Sequence, residues 1–262
     1  MKVLFLGDVF GKPGRELLKS KLWSIVDEND IDFTIANGEN AAGGIGITPA
    51  ICKTLLDAGV DLVTSGNHIY KKREIYDYIE QEPRLLKPVN FPPATPGKGY
   101  YVMTDRNNNK IGVVNICGRI FIDYYDCPFR CMDKILEHVK KEAQVIIVDF
   151  HAEVTSEKIA MGWYLNGRVS AVLGTHTHVQ TADERILPDG TAYITDVGMA
   201  GPRDSVIGVK RENIIKRFIT MMPQKFTVAD GDYLLNAVVI DIDARSGRAK
   251  SIKRLNLIFD DI

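Results

Sequence analysis

Apolar residues come along this chain in short runs, and the runs alternate with stretches of helical spacing. Val3–Leu6 is closed by Gly7-Asp8, and Leu18, Leu22, Ile25 and Val26 then mark one face of a helix over residues 14–28. A second run, Ile31–Ala36, ends at Asn37-Gly38-Glu39-Asn40. Thr48-Pro49 supplies an N-cap and a first-turn residue for a helix carrying Ile51, Leu55 and Leu56. Val60–Thr64 ends at Ser65-Gly66-Asn67-His68, and Ile75, Tyr78 and Ile79 follow at helical spacing.

Residues 83–99 are rich in proline and break the rhythm, yet strand-like segments resume at once on either side. They predict a long ordered loop, not a linker between domains. Tyr100–Thr104 and Lys110–Ile116, joined through Asn107-Asn108-Asn109, predict a hairpin. A helix near 131–142 precedes the strand Val145–Val148, which is closed by Asp149-Phe150-His151. A helix over 156–166 leads to the run Val169–Leu173, closed by Gly174-Thr175-His176-Thr177-His178. Ala192–Thr195 ends at Asp196, and a glycine-containing loop to Gly208 precedes a helix over 211–221. The remainder reads as strands, at Lys225–Val228, Leu234–Ile242 and Ala249–Leu257. This α/β alternation with a late antiparallel run predicts a single domain, 1–262, with helices on the outer faces of packed sheets.

Composition narrows the picture. A chain of 262 residues with 45% hydrophobic content can bury a large core. A net charge of −1 removes the electrostatic case for a broad RNA, DNA or membrane surface. No apolar run approaches the roughly 20 residues that span a bilayer. The opening Met1–Gly7 is too soon interrupted by Asp8 to be a signal peptide, so a cytoplasmic protein is expected. Cys127 and Cys131 have no second pair near them, and the four cysteines read as free thiols in a reducing compartment. Self-association is left open.

The candidate chemistry sits at strand ends: Asp8; Glu39-Asn40; Asn67-His68; His151; His176 and His178. Taken one at a time, each is merely a polar residue leaving a strand. Yet four of the five histidines are gathered there, while the fifth, His138, falls mid-helix beside charged neighbours. Open α/β sheets keep their ligands beyond the carboxyl ends of their strands. If the chain stays extended, His176 and His178 point to the same side. Carboxylates, amide oxygens and imidazoles without cysteine suit iron, manganese, zinc or magnesium and disfavour a closed structural zinc site. Eight donors exceed one ion and match two.

Gly7-Asp8, Gly38-Glu39-Asn40, Gly66-Asn67-His68, His151 and Gly174-Thr175-His176-Thr177-His178 occur in the order of the calcineurin-like metallophosphoesterases, which this chain resembles from residue 8 to 178. It departs from the superfamily pattern at Phe10, where a histidine is usual, at Glu39, where an aspartate is usual, and at Ile69, where an acidic residue follows the Asn-His pair. These departures, with Gly7–Arg15 and Asp196–Pro202, resemble the bacterial YmdB-like branch. The resemblance implies a sandwich of two packed mixed β-sheets flanked by helices (α/β/β/α). It also implies hydrolysis of a small phosphodiester, a 2′,3′-cyclic nucleotide in particular, by a hydroxide held between two metal ions, iron first among them. By position, Asp8, Asn40 and His178 would bind one ion and Asn67, His151 and His176 the other. Glu39 would bridge them, and His68 would be the general acid, since imidazoles titrate near neutral pH.

Two other functions compete with this one. A phosphomonoesterase or protein phosphatase would share the metals, and a regulatory, RNA-associated protein could keep them without catalysis. An amidohydrolase barrel fits poorly, because its His-x-His comes on the first strand. Thr175, Thr177, Arg119, Asp196, Arg203 and Asp204 are weaker candidates for substrate or supporting contacts. Gly43-Gly44-Ile45-Gly46 lacks the lysine and serine of a P-loop and reads as a mobile loop over the metals.

Overall fold

In a computed structural model, which describes residues 1–105 and 107–260, the apolar runs form two sheets laid face to face. The chain opens with β1 (Lys2–Leu6), a two-residue β2 (Asp8–Val9), α1 (Gly11–Glu28), β3 (Phe33–Asn37), α2 (Pro49–Asp57) and β4 (Leu62–Thr64). A 3-10 turn at Ile69–Lys71 leads to α3 (Ile75–Gln81). Next come β5 (Tyr100–Thr104), β6 (Lys110–Cys117), α4 (Pro128–Val139), β7 (Val145–His151), α5 (Thr155–Leu165) and β8 (Ala171–Thr175). Short strands β9 (Arg185–Ile186), β10 (Ala192–Ile194) and β11 (Met199–Pro202) precede α6 (Arg211–Thr220), and β12 (Tyr233–Ile242) and β13 (Ala249–Phe259) end the chain.

One sheet runs β2-β11-β12-β1-β3-β4, with β13 also paired to β12; the other runs β5-β6-β7-β8-β10-β9. In the first, β1, β3 and β4 are parallel, and β12 lies antiparallel to β1. In the second, β6, β7, β8 and β10 are parallel. Side chains alternate between the two faces of each strand. Thus Val3 and Phe5 enter the layer between the sheets with Ile147, Leu173 and Ile194. Leu4 and Leu6 face outward onto Leu18 and Leu22 of α1. On the opposite side α4 and α5 set Met132, Leu136, Met161 and Leu165 against Val148 and Phe150. Fully burying one such side chain contributes about 1.5–3 kcal/mol. The result is the expected α/β/β/α sandwich.

Element boundaries differ from the sequence pattern where tertiary contacts decide them. Helix α1 starts at Gly11, before its apolar stripe begins, and α4 starts at Pro128. Strands β7 and β8 run on through His151 and Thr175, because Cys117↔His151 and His151↔Thr175 continue the ladder. The predicted strand Lys225–Val228 is not one: only an isolated bridge, Val209↔Val228, forms there. Three short strands, β2, β9 and β11, carry too few residues to show a period. Thr48 caps α2, its hydroxyl accepting the Ile51 N–H at 3.4 Å.

Candidate metal centre

The carboxyl ends of β3 and β4 meet those of β7 and β8 across the sandwich. Asn37 marks the meeting: its Nδ2 donates to Asp149 Oδ2 at 3.0 Å, and its Oδ1 accepts the Glu39 N–H at 3.1 Å. Glu39, fully buried, is thereby aimed at the second sheet. Its Oε1 lies 3.3 Å from His151 Nε2 and 3.1 Å from His68 Nδ1, and its Oε2 accepts the His68 N–H at 2.9 Å. Only glycine fits at position 66. A Cβ there would stand 2.3 Å from the His151 ring and 2.4 Å from Glu39 Oε2.

The other expected residues close around this carboxylate. Asn67 Oδ1 lies 3.1 Å and His176 Nδ1 3.0 Å from His151 Nε2. Asp8 Oδ2 accepts the His176 N–H at 3.1 Å, and Asp8 Oδ1 lies 3.6 Å from His178 Nε2. Asn40 Nδ2 reaches Glu39 Oε1 and His178 Nε2, each at 3.1 Å, while its Oδ1 lies 2.9 Å from His68 Nδ1. Among the described residues, ligand atoms of Glu39, His151 and His176 lie within 4.8 Å of one another.

One expectation is corrected. His176 and His178 do not converge because the chain stays extended. Strand β8 stops at Thr175, and both histidines adopt left-handed backbone, with φ of 99° and 64°. Such values are unusual outside glycine and cost of order 1–3 kcal/mol each where the surroundings enforce them. Here the enforcement comes from buried Asp196. Its Oδ2 accepts the Thr177 N–H at 3.1 Å, the Thr177 hydroxyl at 2.8 Å and the buried Lys158 ammonium at 2.6 Å. Gly174 belongs to the same arrangement, since a Cβ there would sit 1.7 Å from the Thr195 carbonyl oxygen.

Each inward-facing imidazole is held by its outer nitrogen. His178 Nδ1 meets the Ile207 carbonyl at 2.9 Å, and His176 Nε2 meets Glu153 at 3.1 Å. His151 Nδ1 meets Thr175 Oγ1 at 2.9 Å, and that hydroxyl donates to Asp149 Oδ1 at 2.7 Å, so the ring nitrogen must donate. In each ring, once neutral, the proton is thus outside and the lone pair faces in, the arrangement that metal-ligating histidines take. The donor set of oxygen and nitrogen without sulfur fits hard or borderline divalent ions.

The buried carboxylates and imidazoles shift one another's protonation. Burial alone would raise Glu39, yet the charges and hydrogen bonds of His151 and His68 hold it well below the usual range. Burial likewise works against Asp8, and His178 and His151 together more than offset it, leaving Asp8 lowered. Burial would depress His151, but Glu39, Asp8 and Asp149 raise it to about 9. Its neighbour His176, desolvated and facing that charge, is pushed down to about 3. Burial lifts Asp149 to about 6 against the opposing pull of His151, Thr64 and Thr175.

Of the weaker candidates, Thr175, Thr177 and Asp196 do support the histidines. Arg119 is exposed, and exposed Arg203 pairs with Asp232 at 3.7 Å, away from the cluster. Exposed Asp204 makes no contact to the cluster residues among the described bonds. Asn37, Asp149, Glu153 and Lys158 were not singled out in the sequence. Asn37 closes β3, and Asp149 follows the apolar run of β7 two residues before its end, but Glu153 and Lys158 give no such signal. Phe10, where the superfamily has histidine, is buried with Val209 and Ile214 and sets its ring edge-on to His178 at 5.5 Å. The glycine loop after Asn40 is a tight turn, closed by Gly44 N–H to Asn40 O at 3.1 Å and Ala42 N–H to Gly46 O at 2.9 Å. It lines a cleft of about 420 Å³ together with His68, His176 and His178.

Known proteins resemble this chain in sequence and in fold. The family model described as YmdB-like protein matches residues 4–255. The chain belongs to the YmdB-like family. The 2′,3′-cyclic-nucleotide 2′-phosphodiesterase of Bacillus subtilis (strain 168) is 52% identical to this YmdB-like chain over 262 residues, covering 100% of it and 98% of the relative. The crystal structure of a hypothetical protein from Thermus thermophilus superposes with a TM-score of 0.93 at 42% identity, covering 99% of this chain and 100% of that one. A structure described as a novel phosphatase from Mycoplasma pneumoniae gives a TM-score of 0.92 at 34% identity, covering 100% and 94%. The metallophosphoesterase fold expected from the strand-end motifs is therefore present; that fold implies divalent metal ions, and Glu39, His151 and His176 offer a possible site for one.

Proposed function

We propose that this protein is a metal-dependent phosphodiesterase that opens 2′,3′-cyclic nucleotides at the 2′ oxygen, with residues 1–262 acting as one catalytic domain. The observation that carries this reading is the convergence of inward-facing donors on Glu39, with one further imidazole, His68, left partly open to the cleft. The 52% identity to the B. subtilis phosphodiesterase supports it.

Asp8, Asn40 and His178 would hold one ion, Asn67, His151 and His176 a second, and Glu39 both. Asn40 must turn its amide over to offer its oxygen. The oxygen and nitrogen donors suit iron, manganese, zinc or magnesium alike, and it is the resemblance to the YmdB-like branch that puts iron first. When bound, the metals supply an activated water and neutralise charge on the phosphoryl oxygens. The chain supplies the rest. As it stands, Asn40 offers Oδ1 to His68 Nδ1 at 2.9 Å; with the amide turned, its Nδ2 would donate to that nitrogen instead, which fixes the imidazole and leaves Nε2, with its proton, to face the substrate. His68 holds a proton at Nε2 and delivers it to the departing 2′ oxygen. Water's hydroxyl joins phosphorus, the bond from phosphorus to the 2′ oxygen breaks, and a nucleoside 3′-phosphate leaves.

His68→Ala tests this directly. The variant should keep its metals, measured by elemental analysis, and lose about 10²–10⁴-fold in rate on 2′,3′-cyclic AMP. The loss should shrink on bis-p-nitrophenyl phosphate, whose leaving group scarcely needs a proton. Equal losses on both substrates, or loss of metal, would overturn the role given to His68.

A further inference from the structure

The cleft beside the metal-site residues is of mixed character. Its lining joins a polar set, Glu39, Asn40, His68, His176 and His178, to an apolar set, Ile45, Ile207, Val209, Phe226 and Val228. Three of these apolar side chains remain open to solvent, Phe226 at 53%, Ile207 at 48% and Ile45 at 40%. Val209 is itself buried with Phe10 and Ile214, and Val228 packs against that cluster, so the apolar set rests on a packed base. Large apolar groups left exposed in one concave site, beside convergent polar groups, mark the seat of a ligand's apolar part.

We propose that this wall is the nucleobase subsite, with Phe226 the surface on which the base stacks. The proposal rests on the phosphodiesterase reading above and names the part of the substrate that reading leaves unplaced. With the phosphate at the cluster, the base of a cyclic nucleotide is the planar apolar portion that must lie elsewhere in the same cleft. Phe226 is oriented by Arg217, whose guanidinium carbon lies 5.1 Å from the ring centroid, and half of the side chain stays open.

Ile207 ties the two ends of the substrate together. Its backbone is left-handed, with φ 49°, a conformation that a β-branched residue adopts only under constraint. Its carbonyl meets His178 Nδ1 at 2.9 Å while its side chain lines the cleft. One residue therefore orients an imidazole of the phosphate end and forms part of the base end. Strain of this kind is found where function over-determines the backbone.

The wall also sets specificity. Ile45, Ile207, Val209, Phe226 and Val228 carry no side-chain donor or acceptor, so a base is held by its face and its edge is not read. Stacking of that kind tolerates any base. The four 2′,3′-cyclic nucleotides should therefore have kcat/KM values within about tenfold of one another.

The experiment compares 2′,3′-cyclic AMP with glycerol 1,2-cyclic phosphate, which has the reacting ring and no base, on the metal-loaded full chain. Phe226→Ala should raise KM for the nucleotide by about 5- to 100-fold, change kcat little, and alter KM for the baseless ester by less than about twofold. Phe226→Trp should restore nucleotide KM. Calorimetry supplies a second readout: Phe226→Ala should weaken binding of adenosine 3′-phosphate and not of glycerol phosphate. An equal effect on both esters, or an unchanged nucleotide KM, overturns the subsite. If the wild-type chain opens no cyclic nucleotide, the phosphodiesterase reading fails, and the calorimetric pair still decides whether Phe226 holds a base.

Discussion

The two ends of the donor cluster are built by different means. At His151 the sheet does the positioning. The residue is the last of β7, its partner Thr175 is the last of β8, and the pair is in register in the ladder. Thr175 then passes the ring's hydrogen bond to Asp149, so strand geometry alone brings the three side chains together. At His178 there is no strand. The chain has turned through left-handed residues at 176 and 178, and a buried ion pair, a threonine and one loop carbonyl hold it. Precision from a sheet comes with the backbone hydrogen bonds that form the fold. Precision in a loop requires buried charge and strain, each of which is costly if a partner is lost.

The largest expected effect falls on the residue that joins the two ends. Glu39→Ala should remove the shared carboxylate, leave less than one ion per chain and lower turnover by about 10³-fold or more. Metal analysis beside steady-state rates checks it; near-normal metal content would separate the two ends and disprove the shared role.

The His178 end should break through its support. Lys158→Met leaves Asp196 buried without its partner, and should cost about 3–5 kcal/mol in chemical denaturation. Lys158→Met combined with Asp196→Asn should recover part of that stability, yet not the activity, if Asp196 shapes the 176–178 turn.

Thr175→Val probes the other end with little change of volume. It removes the hydroxyl that accepts from His151 Nδ1 and donates to Asp149, and should weaken metal binding by about 10- to 100-fold, measured by chelator competition. The fold should survive, because the ladder is untouched. A Thr175→Val protein with unaltered metal affinity would mean that the sheet alone suffices at this end.

The effect smallest per step is a pH dependence, and it sharpens the same contrast. His151, raised to about 9 in the metal-free protein, must lose its proton before Nε2 can bind an ion, whereas His176, near 3, is already neutral. Apparent metal affinity should therefore rise by about tenfold per pH unit between pH 6.5 and 9 and level off above that. In the metal-free fold the same raised pKa contributes stability below pH 6.5, lost as pH rises through 9. A flat affinity profile over this window would show that Glu39 and His151 do not share a proton.

Every residue expected at the cluster lies there, because strand ends are legible in sequence: an apolar run stops, and a polar residue follows. His68 and Glu39 belong to that class, and so does His151. Glu153 and Lys158 do not. Each is one polar residue in or near a helix, and only the packing of α5 against β8 turns Lys158 toward Asp196. The Lys225–Val228 segment shows the opposite error. Its alternation resembles a strand, yet it finds no ladder partner and becomes part of the cleft wall.

The amino-acid pattern by itself determined the alternation of strands and helices, the two-sided burial of the strands and the identity of the donors. Those properties are local: periodicity, turn chemistry and residue type act within a few positions of the chain. Which sheet edges meet was decided only in three dimensions, by a sandwich that brings Asn37 of β3 to Asp149 of β7. The left-handed turn at His176 and His178 was decided there too, since no neighbour in sequence favours it and Asp196 and Lys158 come from distant elements. So was the apolar wall, whose residues 45, 207 and 226 share no element and meet only because the loops that carry them fold over one cleft.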